Sequence, residues 1–197
     1  MRVGLFGGSF DPIHYGHLAI AEEARVALHL DRVIFIPAAQ QPFKTGQHAA
    51  NAQMRLAMVQ LACASNPAFA VSPIEIERSG PSYTIVTLEV LRPAISGELF
   101  LIIGADSAAD LPRWHDAARL ADLARIVLIG RPGVVPDLEA LQVALPALSN
   151  RLIVLPGPQI ALSSTQLRSR AAAGLSLRYL TPDPVVEYLL EHRPYVV

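Results

Sequence analysis

Short unbroken apolar runs divide this chain, and their pattern leaves few folds open. Five lie at residues 3–6, 33–36, 99–103, 126–129 and 152–155, with a weaker one at 69–71. Each is apolar at consecutive positions, so both faces of the strand it forms need cover, as in a parallel sheet between helical layers. Most stop at Gly or Pro (Gly7, Pro37, Gly104, Gly130, Pro156), residues that turn a chain tightly. Amphipathic stretches fill the gaps. Within 15–28, Ile20, Ala24, Ala27 and Leu28 share one helical face. Residues 51–64, 83–91, 115–123 and 137–145 are further helix candidates, and two more helices begin near Ser164 and Pro182. This alternation predicts an α/β fold with a doubly wound, mainly parallel sheet. One domain is expected over residues 1–197, with a C-terminal helical segment from about residue 164. Such sheets bind ligands beyond the carboxyl ends of their strands, where strand order reverses. Chemistry is therefore sought just after each strand.

Composition narrows the function. Hydrophobic residues make up 52% of the chain and charged residues 17%, enough apolar material for a core and too little charge for disorder. The net charge of −1 offers no basic excess, so no nucleic-acid partner is expected. A few local cations would still serve a phosphorylated small molecule. The lone cysteine, Cys63, rules out a disulfide framework and reads as a small buried hydrophobe. No basic-then-apolar leader and no bilayer-length apolar run is present, which predicts a cytoplasmic protein with no membrane partner.

The first strand is followed by Gly7 and Gly8, which permit a sharp turn and close approach to a ligand. His14 and His17 then flank Gly16 at the start of the first long helix. A helix N-terminus presents free N–H groups and a positive dipole end. Two imidazoles three positions apart lie on the same side of that turn and can both donate to a phosphate. Gly16 removes a side chain that would block a nucleotide over the helix start. Each histidine alone has a structural reading, and a metal pair would lack nearby carboxylate or thiolate ligands. The turn is neither the G-x-G-x-x-G fingerprint nor the P-loop.

A second phosphate-like segment comes late. Ser163 and Gln166 have the spacing of a capping box. The hydroxyls of Ser163, Ser164 and Thr165, the helix N–H groups and Arg168 one turn on can also face an anion. Such a site suits the β- and γ-phosphates that leave as pyrophosphate.

Together these strings carry a resemblance. Gly-Gly-Ser-Phe-Asp-Pro-Ile-His-Tyr-Gly-His, from Gly7 to His17, resembles the opening of the HxGH nucleotidyltransferase superfamily. Leu162 to Arg168 is similar to its second signature, ISSTxxR, with Leu162 at the first position. The resemblance implies a Rossmann-like fold and attack by a nucleophile on the α-phosphorus of a nucleoside triphosphate, with no covalent enzyme intermediate. It assigns catalytic roles to His14, His17 and Arg168. ATP contacts are implied at Gly7, Gly8, Ser9, Phe10, Gly16, Gly104, Asp106, Arg131, Ser163, Ser164 and Thr165.

Three middle segments resemble the nicotinate branch of that superfamily. Residues 79–84 with Thr87 and Leu88 are similar to SGxSYTxxTL. Residues 104–107 with Leu111 and Trp114 are similar to GADSxxxLxxW. Pro182, Val185 and Tyr188 are similar to the last helix. This branch adenylylates nicotinate mononucleotide with ATP and Mg²⁺, giving deamido-NAD and pyrophosphate in NAD biosynthesis. The implied acceptor contacts are Lys44, Ser82, Tyr83, Thr84 and Trp114. The chemistry is reasonable: Trp is the best aromatic face for a cationic pyridinium ring, and a carboxylate wants donors such as the Thr84 hydroxyl. Local alternatives stay open: a rim aromatic at Trp114, helix caps at Ser82 to Thr84 and at Asp106, and a surface charge at Arg131. Mg²⁺ would bridge phosphates through mostly water ligands, so no protein metal site is expected. The family has Pro-His-Lys where this chain has Pro42-Phe43-Lys44, which leaves that loop's other contacts open. The loop at 40–47, with Gly46, reads either as a closing segment or as an inert surface loop. Rival readings are a sister enzyme for nicotinamide mononucleotide or phosphopantetheine, and a non-catalytic nucleotide-binding regulator. The oligomeric state is left open, a homo-oligomer included.

Overall fold

A computed structural model of the chain describes residues 1–44 and 49–195, without the side chain of Lys44. Among these residues six strands form one parallel sheet: β1 (Arg2–Gly8), β2 (Arg32–Pro37), β3 (Phe69–Val71), β4 (Glu98–Gly104), β5 (Arg125–Ile129) and β6 (Leu152–Leu155). Their order is β3-β2-β1-β4-β5-β6. The chain thus works outward from β1 to β3, then returns to the other side of β1 as β4. The reversal opens a crevice at the carboxyl ends of β1 and β4. Register shows where it starts. Gly7 and Gly8 pair with Ile36 and Pro37 of β2, whereas pairing with β4 ends at Phe6 and Ile102. The last two residues of β1 therefore border open space on the β4 side.

Among the described residues eight α-helices flank the sheet: α1 (Tyr15–Ala27), α2 (Ala52–Cys63), α3 (Ile74–Glu77), α4 (Thr84–Leu91), α5 (Leu120–Leu123), α6 (Leu138–Ala144), α7 (Ser164–Ala172) and α8 (Asp183–His192). Alternate strand residues point to opposite faces. Phe6, Phe35, Phe100 and Val127 meet α1, α2, α7 and α8 through Ile20, Ala24, Met58, Leu167 and Val185. Leu5, Ile34, Leu101 and Leu128 meet α4, α5 and α6 through Leu88, Leu120 and Leu141. Ile126 to Ile129 are 0% exposed, which is why that run has no polar alternation. Three helix starts have side-chain caps: Asn51 accepts from Met54 N, Asp137 from Ala140 N and Ser163 from Gln166 N.

All six predicted strands form, and every helix candidate is present in some part. The helix expected at 115–123 is shorter than predicted. Asp116 is left-handed, at φ 49°, so a 3₁₀ turn at Ala117–Arg119 leads into a short α5. The short helix anticipated at Asp106 is a 3₁₀ run at Ala105–Arg113, which contains Pro112, and neither its extent nor α3 was announced by the sequence. Both are too short or too irregular to carry an apolar period.

Candidate active site

Two cavities of about 380 and 400 Å³ open side by side at the crevice. They share Gly7, Gly8, Gln41, Gly104 and Ser107. The ends of β1 and β4 thus form a common wall.

His14 and His17 lie in the first cavity. His14 is the N-cap of α1, in extended backbone, and 2% exposed. The two rings stack at 3.7 Å with 23° between planes. The His17 Nδ1 accepts the His14 backbone N–H at 3.2 Å. A neutral imidazole that accepts through Nδ1 carries its proton on Nε2, which is then a donor. Burial, aided by the Arg131 charge, lowers the His14 pKa to about 4, so this ring is neutral near pH 7. Its Nδ1 is buried with no partner among the described residues. Gly16 has a nearer purpose than clearing room for a nucleotide. A Cβ there would lie 3.0 Å from the His14 ring.

A pH dependence follows from His14. Unfolded, it takes up a proton near pH 6.5; folded, only near pH 4. Between those values the unfolded state binds more protons, so acidification destabilises the fold. The expected loss is on the order of 3 kcal/mol across that window. Urea unfolding at stepped pH measures it, and His14→Gln should flatten this part of the slope. An equal slope in both proteins would contradict the buried neutral ring.

The late segment is strapped to the first turn. Arg168 Nη1 donates to Asp11 O at 2.8 Å, and Ser164 Oγ donates to Pro12 O at 2.9 Å. Arg168 Nη2 also reaches Thr165 Oγ1 at 3.2 Å. Ser163 does cap α7, as its spacing allowed, and it lines the same cavity. Arg131 is no isolated surface charge. It pairs with Asp106 at 2.7 Å and donates to Leu162 O at 2.9 Å. Asp106 makes no helix cap. Ser9 Oγ donates to Gln41 at 2.6 Å. Phe10, expected as an ATP contact, lines the first cavity. It is left-handed, 2% exposed, and packed edge-on against His17 with centroids 5.1 Å apart. Its ring supports His17 from the core side.

Asp11 and Arg55 were missed in the sequence. Arg55 is 1% exposed and donates to the carbonyls of Ser9 (2.8 Å), Ala39 (3.2 Å) and Ala50 (3.3 Å). Asp11 accepts from Ala49 N, Ala50 N and the Tyr195 hydroxyl. The available signal was an arginine on the buried face of an otherwise apolar helix.

Ser82, Tyr83, Thr84 and Trp114 line the second cavity with Leu5, Ile36 and Thr87. Ser82 lines this cavity with little exposed surface. It is 8% exposed, and its hydroxyl accepts Ala39 N at 3.0 Å and Gln40 N at 3.3 Å, holding the loop after β2. Thr84 opens α4, and no side chain caps that helix. Trp114 is half-buried on the α4–α6 side of the core. Beside it, His115 stacks on Tyr83 at 4.3 Å. Phe43, where the family has histidine, lies under the Arg113 guanidinium at 5.0 Å. The Lys44 side chain and residues 45–48, Gly46 included, lie outside the described residues. Glu75, also missed, is buried against this cavity. Burial pushes its carboxyl upward, opposed by hydrogen bonds from Thr87 and Ser82 and by the Arg78 charge.

Cys63 is buried and its thiol is pushed up to about 12, so it is no nucleophile. Among the described residues no group of three or more His, Cys, Asp or Glu could hold a metal ion, and no helix is long and apolar enough to cross a membrane.

Paired imidazoles at a helix start, a second helix start carrying Ser163, Ser164, Thr165 and Arg168, and an adjoining cavity at the sheet's switch point have the arrangement of a nucleotidyltransferase-type site. Comparisons agree. Residues 5–170 match the cytidylyltransferase-like family. A probable nicotinate-nucleotide adenylyltransferase of Roseiflexus sp. (strain RS-1) is 58% identical, over 98% of this chain and 97% of the relative. That of Herpetosiphon aurantiacus is 53% identical, over 99% of this chain and 98% of the relative. The fold matches Plasmodium falciparum nicotinic acid mononucleotide adenylyltransferase complexed with NaAD, with a TM-score of 0.80 at 15% identity, over 98% of this chain and 97% of that one. The chain belongs to the nicotinate-nucleotide adenylyltransferases of the cytidylyltransferase-like family.

Proposed function

We infer that this chain transfers the adenylyl group of ATP to nicotinate mononucleotide, forming deamido-NAD and pyrophosphate in NAD biosynthesis. The observation that carries the reading is the shared wall between the two cavities. A triphosphate in the first and a phosphorylated ring in the second would meet over Gly7, Gly8 and Gly104. Side chains are absent there, so two anionic groups can come within bonding distance.

In this reading the acceptor phosphate attacks the α-phosphorus in line, and pyrophosphate leaves toward α7. The attacking group is already an anion, so positioning and charge stabilisation carry the reaction. His17 donates from Nε2 to the α-phosphate region. His14, neutral and orphaned at Nδ1, stands beside it. Ser163, Thr165 and Arg168 take the leaving pyrophosphate. Asp106 takes a ribose hydroxyl, while its partner Arg131 adds positive charge nearby. Mg²⁺ on the triphosphate supplies charge neutralisation. Phosphate oxygens and water would hold it, because the carboxylates lining this cavity, Asp11 and Asp106, already have protein partners. Thr84, Trp114 and the backbone around them hold the nicotinate end, and the resemblance gives Lys44 a phosphate contact. Residues 1–197 act as one unit, in the cytoplasm.

Pyrophosphate release from MgATP, with nicotinate or nicotinamide mononucleotide in parallel, tests the reading. The nicotinate form should be preferred by about 10²-fold or more in kcat/KM, because a donor-rich pocket leaves an amide's own N–H₂ unpaired. Equal use would remove the ring-pocket argument. Release with neither acceptor would overturn the function.

A further inference from the structure

The second cavity is held from behind by a polar network that the reaction itself does not use. Glu75 sits at its centre, 7% exposed. The Thr87 hydroxyl lies 2.7 Å from Glu75 Oε1, and Arg78 Nη2 donates to that hydroxyl at 3.2 Å. The Ser82 hydroxyl also bonds to Glu75 while accepting the N–H groups of Ala39 and Gln40.

Counting protons gives the network a direction. A hydroxyl has one proton and two lone pairs. Both lone pairs of Ser82 receive backbone N–H groups, so its proton goes to Glu75. Arg78 occupies a lone pair of Thr87. The Thr87 proton has two candidate acceptors, Glu75 at 2.7 Å and Tyr83 O at 3.3 Å, and the carboxyl is the closer. Glu75 is thus the terminal acceptor for two hydroxyls on opposite sides of Tyr83 and Thr84. A third tie, Ser82 N to Gln40 O at 2.9 Å, fixes the same loop.

We infer that Glu75 is a positioning residue for the acceptor: it orients Ser82 and Thr87, and through them sets the cavity wall formed by Tyr83, Thr84 and the loop after β2. This rests on reading the second cavity as the nicotinate mononucleotide site. Glu75, Ser82 and Thr87 all line the second cavity, so the network's main influence falls on the substrate bound there.

Trp114 is the chain's single tryptophan and lines this cavity, so its fluorescence reports acceptor binding without ATP. Glu75→Gln preserves volume but turns an acceptor oxygen into an N–H₂ donor and leaves a single acceptor oxygen for two hydroxyl protons, and the Ser82 hydroxyl, both of whose lone pairs are occupied, cannot accept the new donor. Nicotinate mononucleotide should then bind roughly 10- to 100-fold more weakly, with its KM rising in parallel and the KM for ATP staying within about twofold. Thr87→Val, which keeps shape and drops the hydroxyl, should shift the same constants by about 3- to 10-fold. Acceptor binding within about twofold of the parent in folded Glu75→Gln would overturn the inference, as would equal rises in both KM values. If Glu75→Gln does not fold, Thr87→Val is judged by the same two criteria. Failure of the parent protein to bind or turn over nicotinate mononucleotide would instead overturn the acceptor reading, and this inference with it.

Discussion

His17→Ala should lower kcat by about 10²- to 10³-fold while the melting temperature moves little. The asymmetry comes from where the ring sits. His17 is only partly buried, its Nδ1 takes one backbone N–H, and its other nitrogen is turned to a donor role by that bond. A group aimed at charge that grows in the transition state contributes mainly to rate. The folded protein loses the Nδ1 hydrogen bond, a cost of about 1 kcal/mol, and ring contacts with His14 and Phe10 at a cavity wall that water can reach. Steady-state kinetics on MgATP and nicotinate mononucleotide, with a thermal melt beside it, separate the two effects. Normal turnover in a folded His17→Ala protein would remove the phosphate role assigned to the first turn.

Arg55→Met should do the reverse, costing about 3–5 kcal/mol of stability and lowering the melting temperature by roughly 10 °C. Burial lowers the guanidinium pKa, and the Asp11 carboxylate opposes that shift. Methionine fills much of the space but leaves the carbonyls of Ser9, Ala39 and Ala50 without their donor. It also leaves buried Asp11 without its nearby cation. Because Ser9 and Asp11 line the first cavity, activity should fall as well, but only after stability has. Urea unfolding measures the loss. A midpoint close to the parent's would mean that the network is dispensable and that the turn holds itself.

The two variants also divide what could be read beforehand. His14 and His17 were legible because their spacing, the glycines and the helix start lie within one short string. The strands were legible for a similarly local reason: burial on both faces writes itself as consecutive apolar residues. Arg55 was not legible. Its partners lie up to 46 residues away, and its helix otherwise reads as ordinary core. Ser82 shows the same limit from the other side. The motif containing it was recognised, but its hydroxyl turns to Ala39 and Gln40 through a contact between distant loops. Phe10 belongs to the recognised string too, yet packing against Phe6, Phe35 and His17 decides its role.

The sequence by itself determined the α/β class, the strand and most helix positions, and the two strings that line the first cavity, because each depends on residues close together in the chain. Only the tertiary structure decided the strand order, the placement of α7 against the first turn, the neutral state of His14 and the polar frame of Asp11, Arg55 and Glu75. Those properties depend on burial and on hydrogen bonds between segments as much as 184 residues apart, and no local pattern encodes the free energy of such contacts.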